Sequence, residues 1–338
     1  GKIQDEFMTV PPEALVSAMK SHQKYFALIN HDGGLSANFI TISNMPANTQ
    51  RDQTTIEGNE KVLGARLSDA KFFWDQDRAI TLRARVPALT NVKFYQKLGS
   101  LSEKMARGEE LGIYLSEWVP GIDKVSFKRA AQLAKADLTT SMVGEFPELQ
   151  GIMGSYYARH DGEREDVCLA IKEHYSPQGP SDFCPTAPLS VALSLSDKID
   201  TLVGFFAINE KPTGSKDPFA LRRCALGIIR LIRENSLRLP LQKVVTKALT
   251  LYPDFKIENG LTDFIMERLK IFLRNNGTVH DRISSIFAAG NDDDINRLID
   301  RIEALEKFLS SDDGGNLLIA YRRAANIVVI ESKKAYKA

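Results

Sequence analysis

The sequence predicts a mainly α-helical, multi-domain fold with a small α/β segment at its N-terminus. Three observations carry that prediction. Apolar residues recur at helical spacing through most of residues 97–338, and two-residue alternation is confined to a stretch near residues 26–42. The chain has 338 residues, enough for two or three domains at roughly 100–200 residues each. Composition agrees: 43% hydrophobic and 26% charged residues supply real cores without the signature of disorder.

Residues 1–95 form the α/β segment. Pro11-Pro12 opens PPEALVSAMKSHQKYF, a helix with proline in its first turn. ALINHDGGLSANFITISN follows as two strands joined by the turn Asp32-Gly33-Gly34. IEGNEKVLGARLSDAKFFWDQDR then spaces Val62, Leu63, Leu67, Ala70, Phe73 and Trp74 as the apolar stripe of an amphipathic helix, with Lys61 and Arg66 interleaved. Residues 96–240 are helical, with Gly and Pro clustered only at Ser176 to Pro188 and Lys211 to Pro218, which read as loops. Residues 241–338 are further helices, broken at Tyr252 to Gly260, Asn275 to Gly277, Gly290 to Asp294 and Ser310 to Gly315. A joint between the two helical units is placed near Leu239-Pro240.

The 44 basic and 43 acidic side chains leave a formal charge of +1, so no molecule-wide field draws nucleic acid or an anionic membrane. Any basic surface must be local. Between residues 201 and 250, nine basic residues stand against three acidic ones. In a helix starting near Pro218, Arg222 and Arg223 come early, and Arg223, Arg230 and Arg233 share a face while Leu221, Ile228, Leu231 and Ile232 turn toward a core. Such a stripe suits phosphate oxygens of an RNA backbone. A solvated face with internal salt bridges is the alternative. From Tyr321 onward, Arg322, Arg323, Lys333, Lys334 and Lys337 face only Glu331, a second cluster that suits phosphate or a solvated tail.

No run approaches 18 apolar residues, so no membrane span is expected. Cys168, Cys184 and Cys224 lack CxxC spacing and suit a reducing cytosol, not a disulfide framework or zinc ribbon. The opening GKIQDEF has no initiator Met, no basic n-region and no apolar h-region, so no signal peptide is expected, and a cytoplasmic location is the expectation.

No GxGxxG, GxxxxGK[ST], HExxH or GxSxG occurs, which removes the common nucleotide-binding, metalloprotease and hydrolase signatures. No catalytic residue is assigned. One arrangement of polar residues stands out: Lys135-Ala136-Asp137, Glu173-His174-Tyr175, and Ser196-Asp197-Lys198 with Asp200. Its order resembles the metal-binding HD phosphohydrolase superfamily, where a His, a His-Asp doublet and a distal Asp converge between helices. Ala136 stands at the doublet's His, and Leu98 to Arg107 offers no first His. Asp137, His174 and Asp197 therefore make a degenerate cluster short of the imidazoles that transition metals favour, and no metal is expected. Its buried carboxylates need cationic or backbone partners, for which Lys135 and Lys198 are at hand. The doublet His160-Asp161, in RHDGERED, reads as a solvated turn.

Longer words carry a second resemblance: PPEALVSAMKSHQKYF at 11–26, GNEKVLGARLSDAKFFWDQD at 58–77, EFPELQGIMGSYYA at 145–158, EHYSP at 173–177, SDKIDTLVGFF at 196–206 and PTGSKDPFALRR at 212–223. With these the sequence resembles the beta subunit of the bacterial heterotetrameric glycyl-tRNA synthetase over essentially its whole length. LTDFIMERLKIFLRNNG through YRRAANIV is similar to the helical anticodon-binding domain of arginyl-type synthetases.

The resemblance implies three parts: 1–95 as α/β segment of the subunit body, 96–240 as an HD-like helical domain, and 241–338 as a truncated anticodon-binding-like domain. It implies a tRNA-binding subunit of glycine-tRNA ligase that supports ATP-dependent attachment of glycine to tRNA(Gly) by an alpha subunit. ATP and Mg2+ would sit on that alpha subunit, with no cofactor on this chain. On that reading, charge and helical spacing assign Arg222, Arg223, Arg230 and Arg233 to phosphate contacts near the acceptor arm, Arg268, Lys270 and Arg274 to contacts in the anticodon-binding-like domain, and Arg322 and Arg323 to a further cluster of tRNA contacts. A metal-dependent HD-type phosphohydrolase and a non-catalytic assembly scaffold are the competing readings.

Overall fold

The computed structural model describes residues 1–335 apart from 45, 47, 48, 256–259 and 291. It is mainly helical. The N-terminal segment contains α1 (Pro12–Gln23), the strands β1 (Phe26–Ile29) and β2 (Leu35–Ile40), the long α2 (Thr49–Asp77) and the one-turn α3 (Leu82–Arg85). β1 and β2 pair antiparallel, as the alternating pattern predicts. Their turn is local chemistry: Gly33 takes a left-handed φ of 85°, and the Gly34 N–H donates to Asp32 Oδ1 at 2.9 Å. Of the stripe read in α2, Leu63, Leu67, Ala70 and Trp74 are buried, Phe73 is half-buried and Val62 is exposed.

A second hairpin, β3 (Lys93–Tyr95) with β4 (Gly99–Ser100), is not foreseen by periodicity, because its strands are too short to alternate. It leads directly into α4 (Leu101–Leu115), whose first turn is closed by a capping box between Ser100 and Glu103. There follow α5 (Lys124–Leu133), α6 (Ser141–Glu145), α7 (Ile152–His160), α8 (Glu165–Glu173), α9 (Pro188–Ala207) and α10 (Leu221–Glu234). The chain continues through α11 (Leu241–Thr250), α12 (Leu261–Asn275), α13 (His280–Ala288), α14 (Ile295–Leu309) and α15 (Asp312–Ala335).

Two apolar cores hold these helices, and α9 is the wall between them. Leu189, Ala192 and Leu193 face the first core, with α1, α2, α5, α7 and α8. Val191, Leu195, Ile199, Leu202, Val203, Phe205 and Phe206 face the second, with α10 to α14. α9 is buried because it turns apolar side chains to both cores, and each fully buried aliphatic or aromatic side chain contributes about 1.5–3 kcal/mol. The second core runs through the expected joint: Leu237, Leu239 and Leu241 are all buried in it. α4 adds Leu111 and Leu115 to the second core and approaches α5 closely at Gly112, where a Cβ would lie 1.9 Å from the Phe127 ring. That approach fixes the position of α4, and hence of the polar side chains it points at α9.

Candidate functional site

The polar cluster expected from Asp137, His174 and Asp197 is built from four segments. α4 contributes Lys104 and Arg107, the turn after α5 contributes Lys135, the end of α8 contributes His174, and α9 contributes Asp197 and Asp200. Two cations three residues apart on α4 thus face two carboxylates three residues apart on α9. Lys104 Nζ donates to Asp200 Oδ2 at 3.1 Å and to Thr201 Oγ1 at 2.7 Å, and lies 3.4 Å from Asp197 Oδ1. Arg107 Nε donates to Asp200 Oδ1 at 2.8 Å, and the Tyr252 hydroxyl donates to the same oxygen at 2.9 Å.

Lys135 joins the other two members. Its Nζ lies 3.0 Å from His174 Nε2 and 3.0 Å from Asp197 Oδ1, over the Tyr175 ring at 3.9 Å. His174 Nδ1 faces the Ile171 carbonyl at 2.7 Å. A carbonyl only accepts, so Nδ1 carries the proton and Nε2 accepts from the ammonium. Burial, and then the charge of Lys135, hold His174 well below its usual pKa, so the imidazole is neutral. Burial works to raise Asp197, but Lys104 and Lys135 outweigh it and hold the carboxyl far below the usual carboxylate range.

Asp137 is not part of this group. Its Oδ2 turns to the first turn of α7 and accepts from Gly151 N–H at 2.6 Å and Gly154 N–H at 3.0 Å, while Oδ1 has no partner among the described residues. Burial raises its pKa to about 6 against those two hydrogen bonds. A carboxyl whose folded pKa lies above its unfolded value stabilises the fold below about pH 4 and loses that contribution as pH rises through 6. Asp137→Asn is therefore expected to stabilise the chain by about 1–3 kcal/mol at pH 8 and by little at pH 4. Urea unfolding at the two pH values checks this, and an equal effect at both would contradict a buried charge at Asp137.

The donor set does not fit a divalent metal. The His174 lone pair is committed to the Lys135 ammonium, and Lys135 and Lys104 both approach Asp197 Oδ1, at 3.0 Å and 3.4 Å. Among the described residues, no group of three or more His, Cys, Asp and Glu side chains is arranged to hold a metal. The void beside the cluster, lined by Met105, Ala131, Ala134 and Leu193 as well as its charged members, measures about 20 Å3, room for a single water. The ammonium groups supply the positive charge that these carboxylates require. The third lysine, Lys198, points away and donates to the Tyr175 carbonyl at 2.9 Å and Ser194 Oγ at 3.0 Å.

The expected basic residues separate. Leu221, Ile228, Leu231 and Ile232 are buried as the helical spacing predicts, and Arg223 is exposed on the opposite face of α10. Arg230 corrects the stripe. It is only 7% exposed, with Nε donating to Glu234 at 2.7 Å and Nη1 to the Gly179 carbonyl at 2.7 Å, because the loop between α8 and α9 folds over it. Arg222 is half-buried and caps Gly214 O at 2.7 Å. Arg233 and Arg268 are half-buried over phenylalanine rings, Lys270 pairs with Glu267 at 2.5 Å, and Arg274 is exposed. Arg322 and Arg323 are exposed on α15; the side chains of Lys333 and Lys334, and all of Lys337, lie outside the described residues. His160 is exposed, as read, whereas Asp161 anchors α3 by accepting from Leu82 N–H at 2.6 Å.

Residues 1–288 match the profile of the family described as Glycyl-tRNA synthetase beta subunit. The chain belongs to that family. It is similar to the glycine-tRNA ligase beta subunits of Rhodospirillum centenum (49% identity, 99% of this chain and 47% of the relative), Phenylobacterium zucineum (46%, 99% and 48%) and Dinoroseobacter shibae (44%, 97% and 50%). The chain spans about half the length of the relatives it matches. No helix among the described residues is long and apolar enough to cross a membrane.

Proposed function

We propose that this chain is a tRNA-gripping part of a glycine-tRNA ligase beta subunit, working in the cytoplasm beside an alpha subunit that holds ATP and Mg2+ and attaches glycine to tRNA(Gly). One contrast carries the reading. His174 and Asp197 of the degenerate HD-like cluster are paired with the chain's own lysines, while Arg223 and Arg274 stand exposed without a carboxylate partner among the described residues. A site that consumes its own charges supports scaffolding, and free guanidiniums on rigid helices support phosphate contacts.

On this reading residues 96–240 are an HD-like scaffold and residues 241–338 an anticodon-binding-like unit. The cluster's work is to fix α4 against α9, which sets the angle at which α10 offers its arginines. The test is binding of bacterial glycine tRNA by the chain after transition metals have been stripped by chelation and magnesium restored. Binding unchanged by the stripping is expected. No binding would favour an assembly scaffold, and phosphoester hydrolysis that returns with a transition metal would favour the phosphohydrolase.

A further inference from the structure

We draw no further inference here: the strongest candidate, the open apolar groove of about 700 Å3 between α1, the β1–β2 hairpin and the start of α7, lined by Val16, Ile29, Leu35, Leu149 and Ile152, is an unpartnered face, and nothing in the structure shows what covers it.

Discussion

Asp200→Ala is expected to destabilise the chain by about 3–5 kcal/mol, read as a lowered urea midpoint at unchanged slope. Asp200 is 1% exposed and holds Lys104, Arg107 and the Tyr252 hydroxyl. The sign of the local charge decides the size of the effect. Lys104, Arg107 and Lys135 bring three positive charges against the two of Asp197 and Asp200, so deleting a carboxylate strands buried cations. Deleting a cation does not strand a carboxylate: in Lys104→Met, Asp197 keeps Lys135 at 3.0 Å and Asp200 keeps Arg107 at 2.8 Å. That variant is expected to cost about half as much, and a larger loss for Lys104→Met than for Asp200→Ala would contradict the charge count. Because Asp200 reaches Tyr252 just beyond α11, the same substitution is expected to loosen α11 and α12 against α4, visible as faster amide exchange there.

The second large effect separates two arginines that helical spacing alone treats as equals. Arg223→Glu with Arg274→Glu is expected to weaken glycine-tRNA binding roughly ten- to hundredfold and to reduce the salt slope by about one for each phosphate that is no longer neutralised. Neither side chain has a carboxylate partner among the described residues, so stability should hardly change. Arg230→Gln is expected to do the reverse. It leaves the Gly179 carbonyl and Glu234 without their donor, costs about 1–2 kcal/mol of stability, and leaves affinity of the folded chain intact. Equal losses of affinity from the two substitutions would place Arg230 at the RNA surface and contradict its burial.

What the sequence made legible was local. The turn at Asp32-Gly33-Gly34, the apolar stripe of α2 and the core face of α10 each follow from residues within one or two turns of each other. The fate of Arg230 depends on a loop some fifty positions earlier in the chain closing over it, and no helical spacing encodes that. The cluster was half legible. Asp197, His174 and Lys135 could be named from their order, but Asp137 serves the start of α7 instead. Lys104 and Arg107 lie in the helix where the HD pattern expects a histidine, so that pattern passes over them. Their three-residue spacing, matched by Asp197 and Asp200, was the available signal. The β3–β4 hairpin left none, its strands being two and three residues long.

The proposed role, tRNA gripped through exposed guanidiniums with the polar cluster holding the helices in place, requires salt-dependent binding. The deciding measurement is the affinity of the unaltered chain for glycine tRNA across a salt series. Log affinity is expected to fall linearly with log salt, with a slope of roughly two to five for the phosphates that Arg223, Arg233, Arg268, Arg274 and the α15 arginines can neutralise. A flat salt dependence, or no binding at low salt, would contradict the tRNA-gripping role.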